Sequence, residues 1–149
     1  MSLFVRNVSD RLSVAGQLEA SQFDQLPSQG FQSVANLRPY TEPGATAEDR
    51  HQVEALGLPY IHLPLAYSEL TPAVIDSAIQ QVHSLPKPLL LYCKSSLRAI
   101  MLSLFYEITY QGSTVEAAKE KGRVLGFDFD AHINLQPILD ACANKVSSR

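Results

Sequence analysis

Apolar positions change their period several times along the chain, and each change marks an element. Arg11-Leu-Ser-Val-Ala-Gly16 alternates and predicts a short strand closed by a glycine. Leu18 to Ser28 carries Leu18, Phe23 and Leu26 at loosely helical spacing before a Gly30 stop. Phe31–Leu37 predicts a second strand, ended by Arg38-Pro39, and Pro43 and Gly44 place Tyr40–Thr46 in a loop. Ala47–Leu56 predicts a helix with Val53 and Leu56 inward and Gly57 as its C-cap, followed by a third strand over Pro59–Pro64. Thr71-Pro72 opens another helix, since Thr caps well and Pro is tolerated at the first helical position. Its stripe of Val74, Ile75, Ala78, Ile79 and Val82 runs to about Leu85.

Leu89–Tyr92 is apolar without alternation, the pattern of a strand buried on both faces of a parallel sheet. Arg98–Tyr110 is apolar almost all round and predicts a central helix. A more polar helix over Thr114–Leu125 follows, then a last one from about Asp130 to Ala143 with a bend expected at Pro137. Strands alternating with helices predict an α/β fold, a mostly parallel central sheet flanked by helices joined by right-handed crossovers. The whole chain, 1–149, reads as one domain.

Composition narrows the function. Hydrophobic residues at 46% and charged residues at 18% are ordinary globular usage. Twelve Lys and Arg against fifteen Asp and Glu leave a net charge of −3. That balance argues against nucleic acid as a partner, because phosphate neutralisation calls for a basic excess. The apolar runs fall short of the roughly 20 residues that a bilayer requires, so no membrane is expected. With no leader-like segment at the N-terminus and only Cys93 and Cys142, the chain reads as cytoplasmic, without a disulfide framework or a zinc site. No metal or organic cofactor is implied, and the sequence does not fix an oligomeric state.

Chemistry concentrates after the most buried strand. Open α/β sheets bind ligands at the carboxyl ends of their strands, and here that end delivers Cys93-Lys-Ser-Ser-Leu-Arg98 into the most buried helix. The helix dipole and its unpaired N–H groups favour an anion at that point, and a thiolate is one. The backbone from Lys94 to Leu97 has the makings of an oxyanion cradle. Arg98 offers a planar fork for two oxygens, and Ser95 and Ser96 add hydroxyls. A buried, inert Cys93 is the competing reading.

These residues resemble the beta-lactamase hydrolase-like phosphatase family, a bacterial branch of the protein tyrosine and dual-specificity phosphatase fold in which some members are labelled sulfur transferases. The likeness rests on Leu12–Gln17, Gly30–Pro39, Gly57–Pro64 and Cys93–Arg98, in the family's order. It implies Cys93 as nucleophile, Arg98 as oxyanion clamp and Lys94, Ser95, Ser96 and Leu97 as the cradle. Arg38 falls on a strand-end arginine that lines the pocket or ties down a neighbouring loop. Four residues separate Cys93 from Arg98, a short loop shared with many rhodanese-type sulfur transferases. Ser96 stands where the family's loop usually has glycine; a positive φ there strains Ser by about 1–3 kcal/mol. Tyr92 precedes the nucleophile where tyrosine phosphatases usually have His.

Phosphoryl transfer needs a proton for the leaving oxygen. The loop that supplies it in tyrosine phosphatases corresponds to Leu65–Leu70, whose only carboxylate is Glu69, so Glu69 is the candidate general acid. His62 either supports the site or serves structure, and Glu42 pairs with Arg38, approaches the site or lies on the surface. His51, His83 and His132 read as surface residues, Cys142 as packing, and Asp128 and Asp130 as N-terminal helix charges. The expected function is hydrolysis of a phosphate monoester or another small oxyanion through a phosphocysteine. A persulfide-carrying sulfur transferase and a non-catalytic anion- or phospho-partner-binding module are the alternatives.

Overall fold

The computed structural model describes residues 3–147. In chain order the elements are β1 (Arg6–Asn7), β2 (Leu12–Ala15), α1 (Ala20–Phe23), β3 (Ser33–Asn36), α2 (Glu48–Ala55) and β4 (Tyr60–His62). Then come α3 (Pro72–Ser84), β5 (Leu89–Tyr92), α4 (Leu97–Tyr110), α5 (Val115–Leu125) and α6 (Gln136–Ser147). Short 3-10 turns lie at Tyr67–Glu69, Phe129–Ala131 and Ile133–Leu135. The expected α/β class with a mostly parallel sheet is what forms. Two compact units divide the described residues: one runs to Ala66 and resumes over Leu85–Ala99, the other takes Tyr67–Ser84 and everything from Ile100.

The first unit holds the sheet, ordered β1-β2-β5-β3-β4. β2, β5, β3 and β4 are parallel, and β1 adds an antiparallel edge that the two-residue stretch Arg6–Asn7 gave no periodic signal to predict. β5 sits in the middle with every residue buried, as its unbroken apolar run requires. One face packs Leu90 and Tyr92 with Val34, Phe23, Leu26 and Val53. The expected helix over Leu18–Ser28 contracts to one turn. Glu19 and Gln22 form a capping box across its start, and the chain then leaves the helical ladder through turns that end at Gly30.

The apolar helix begins at Leu97, in the first unit, and its residues from Ile100 to Ile108, which belong to the second, are buried. Thr71 and Thr114 act as N-caps, each hydroxyl accepting a backbone N–H three residues on at 3.1 and 3.0 Å. The last helix departs from expectation. Residues 129–135 form two 3-10 turns, and α6 starts only at Gln136, which puts Pro137 in its first turn. A missing N–H matters little there, so Pro137 opens the helix at no cost in hydrogen bonds. Asp128 caps the first of these turns, while Asp130 pairs with Lys119 on α5 at 2.9 Å. Cys142 is buried, as expected of a packing residue, and burial pushes its thiol up. His132 is half-buried and stacks on Phe127 and Tyr67, which corrects its reading as a surface residue. Among the described residues, no helix is long and apolar enough to cross a membrane, and no group of three or more His, Cys, Asp or Glu can hold a metal ion.

Candidate active site

Strand register brings the site together. Ala15, Tyr92, Asn36 and His62 pair in one row across β2, β5, β3 and β4. The residues that follow them therefore leave the sheet at one carboxyl edge, where open α/β sheets bind ligands. Cys93 leaves β5 there, 0% exposed, its N–H donating to the Ala15 carbonyl at 3.2 Å. The next residues cross to β2, where Gln17 N–H donates to the Lys94 carbonyl at 3.2 Å and Gly16 bridges Ser95. A Cβ on Gly16 would sit 3.0 Å from the Lys94 oxygen, so any side chain there would make the loop give by a few tenths of an ångström.

Ser96 has φ 73°, the one positive φ outside glycine among the described residues. Side chains seldom adopt that backbone, which stores about 1–3 kcal/mol of strain. The turn it makes carries the chain into α4, with Arg98 in the helix's first turn. Among the described residues, the backbone N–H groups of Lys94, Ser95 and Leu97 donate to no acceptor in the protein, while the Gly16–Ser95 bridge turns the Ser96 N–H toward the Ala15 carbonyl. Three such donors around the start of a fourteen-residue helix favour an anion at this turn.

Arg98 is held from two sides. Its Nη1 and Nη2 donate to the two carboxylate oxygens of Glu42, both at 2.8 Å, and Nη1 also donates to the Leu65 carbonyl at 2.9 Å. Glu42 takes a second guanidinium through Arg38 Nε at 2.9 Å. With two cations on one carboxylate, Glu42 is held down to about 2, first by the Arg98 hydrogen bonds and also by Arg38, against the opposing effect of burial. Arg38 is only 2% exposed and ties down the loop that follows it. Besides Glu42 it donates to Gln17 Oε1 at 2.7 Å and to the Pro43 carbonyl at 2.6 Å.

On the other side of Gln17, its Nε2 donates to Asp49 Oδ2 at 3.0 Å, and that oxygen also accepts the Tyr92 hydroxyl at 2.7 Å. Burial, and then the bond to Asp49, push the Tyr92 hydroxyl far above its ordinary range. His62 bonds the Arg38 carbonyl at 2.6 Å and stacks on Tyr40 with ring centres 3.9 Å apart, so its contacts are structural. Lys94 and Ser95 are exposed on the loop, and Ser96 is half-buried. Glu69 belongs to the second unit, exposed on its 3-10 turn.

Sequence reasoning missed Gln17, Asp49 and the bond between Glu42 and Arg98. Glu42 carried a signal in its i, i+4 spacing from Arg38, and Gln17 in its place directly after Gly16. Asp49, on the polar first turn of α2, carried none.

The mostly parallel sheet and its flanking helices have the protein tyrosine phosphatase-like α/β fold. Solved structures of that class share it. P. aeruginosa TpbA in complex with pTyr superposes with TM-score 0.76 over 97% of this chain and 91% of its own, at 18% identity. The core catalytic domain of the S. cerevisiae PP-IP phosphatase, in complex with citrate, superposes with TM-score 0.73 over 97% and 88%, at 13% identity.

Within that class the chain belongs to the beta-lactamase hydrolase-like family, whose phosphatase-like domain matches residues 4–108. Beta-lactamase hydrolase-like proteins from Agrobacterium fabrum and Xylella fastidiosa are 32% and 29% identical over 83% and 82% of this chain. The chain spans only about 30% of the length of these relatives.

Proposed function

We propose that the protein is a cysteine-dependent phosphatase acting on phosphate monoesters. The observation that carries this reading is the turn from Lys94 to Leu97: among the described residues the N–H groups of Lys94, Ser95 and Leu97 have no acceptor, and Cys93 and Arg98 stand at its two ends. In the reaction the Cys93 thiolate attacks phosphorus, the ester P–O bond breaks, and the leaving oxygen takes a proton. Water then attacks the phosphocysteine, releasing phosphate and restoring the thiolate. The cradle and Arg98 stabilise the charge on the transferring group. The assay is aryl phosphate turnover by the wild type and Cys93→Ser; the variant falls to background, and equal rates sink the proposal.

Glu69 is the proposed proton donor. A positioned acid contributes about 10²–10⁴-fold, and its contribution grows with the basicity of the leaving group. Glu69→Gln therefore slows alkyl phosphates far more than nitrophenyl phosphate; equal loss on both removes Glu69 from this role.

The four-residue spacing between Cys93 and Arg98 favours a second reading, sulfur transfer through a Cys93 persulfide. Incubation with thiosulfate then adds the mass of one sulfur atom to the wild type and none to Cys93→Ser. A module that only captures an anion binds oxyanion without turning over either substrate.

A further inference from the structure

Both flanks of the candidate cradle are tied into one unbroken series of hydrogen bonds. Tyr92, directly before Cys93, donates to Asp49, and Gln17 donates to the same oxygen. Arg38 donates to Gln17 and to Glu42, and Glu42 takes both ends of the Arg98 guanidinium. Gln17 suits its place because an amide donates at one end and accepts at the other. A carboxylate there would face Asp49 with like charge, and an ammonium would face Arg38. The backbone of Gln17 also holds the Lys94 carbonyl, so one residue touches the cradle and both halves of the series.

We propose that Glu42 is a positioning residue for Arg98, with Gln17 and Arg38 setting the carboxylate in its place. The proposal rests on the reading of Cys93–Arg98 as an oxyanion site. Three bonds fix the plane of the Arg98 guanidinium: two from Glu42 and one from the Leu65 carbonyl. An arginine held in that way has lost its rotamer freedom before the substrate arrives, so the ordering is not charged to the reaction.

The opposite role, a carboxylate that masks Arg98 until substrate displaces it, fits the contacts poorly. Leaving Arg98 requires Glu42 either to abandon Arg38, a cation buried to 3% side-chain exposure, or to pivot about it and break both bonds of a bidentate pair. Stranding a buried charge is strongly unfavourable.

The test measures aryl phosphate kinetics and equilibrium binding of tungstate, well below each protein's melting midpoint, in the wild type, Glu42→Gln and Gln17→Leu. Misplacing a catalytic group by about 1 Å costs on the order of 100-fold. Glu42→Gln is therefore expected to lower kcat by about 10- to 100-fold with a smaller change in KM, and to weaken tungstate binding in parallel. Gln17→Leu, one step further away, moves both quantities in the same direction by less, and carries the test if Glu42→Gln does not fold. A merely structural role lowers the melting midpoint and leaves both quantities within about twofold for the folded protein. That result overturns the proposal, and so does a rise in either quantity, which establishes masking. The phosphatase reading fails separately: a wild type that binds tungstate without turnover refutes it, while Glu42 is still judged on tungstate alone. A wild type that neither turns over substrate nor binds tungstate overturns both.

Discussion

Glu42 binds two guanidinium groups with one carboxylate, and this sets how the protein meets acid. Its carboxyl is held at about 2 against an ordinary 4.5, chiefly by Arg98. The lowered value means that the ionised carboxylate stabilises the fold at neutral pH. Because the folded value is the lower one, the contribution is complete above the unfolded value. It drains away as pH falls from about 4.5 through about 2. Glu42→Gln should accordingly lose stability at pH 7 and show a shallower acid decline across that window in urea unfolding at stepped pH. A parallel decline in the two proteins places the acid sensitivity elsewhere. Ser96 offers the reverse experiment. Its φ of 73° costs about 1–3 kcal/mol, whereas a glycine gives up about 0.5–1 kcal/mol in chain entropy. Ser96→Gly is expected to raise the urea midpoint by the equivalent of about 1 kcal/mol; a lowered midpoint means that the serine has compensating contacts.

At the scale of elements, Gly122 tests packing against propensity. An alanine at a helix interior gains about 1 kcal/mol over glycine. A Cβ there would stand 2.6 Å from the backbone oxygen of Phe127 and 3.2 Å from the Leu104 side chain, and overpacking of that kind costs about 1–3 kcal/mol. Because the nearest atom is backbone, the clash wins, and Gly122→Ala should melt lower than the wild type. Which elements could be read from the sequence follows the same division between local and distant causes. α3 and α5 announce themselves through Thr71 and Thr114, whose caps act within one turn. β5 announces itself because burial on both faces leaves no polar position. The short α1 and the late start of α6 depend on turns that hydrophobic spacing does not encode. At the site, Cys93–Arg98 is contiguous and legible. The series from Tyr92 to Arg98 draws on residues 17, 38, 42 and 49, from the segments after β2 and β3 and from α2, and only the fold assembles it.

The path of the chain through the whole molecule has its own consequence. It passes between the two units after Ala66, after Ser84 and again inside α4 after Ala99. Neither unit is therefore a continuous piece of sequence, and the central strand of the first is supplied only after α3 of the second has been traversed. One cooperative transition is expected, with far-ultraviolet circular dichroism and tyrosine fluorescence reporting the same midpoint. Separated midpoints would show that the units melt independently. A chain cut after Ser84 lacks β5 and should not fold, although it retains four of the five strands. β5 is also paired along both edges, by β2 and by β3, with every side chain buried. Its amide protons should exchange with solvent only when the molecule unfolds globally, making Leu89–Tyr92 the slowest segment in hydrogen exchange. Cys93, one residue beyond, is 0% exposed yet belongs to the loop rather than the strand. Any reagent that reaches its sulfur faster than those amides exchange has entered through a local opening of residues 94–96, so the ratio of the two rates measures how often the site breathes.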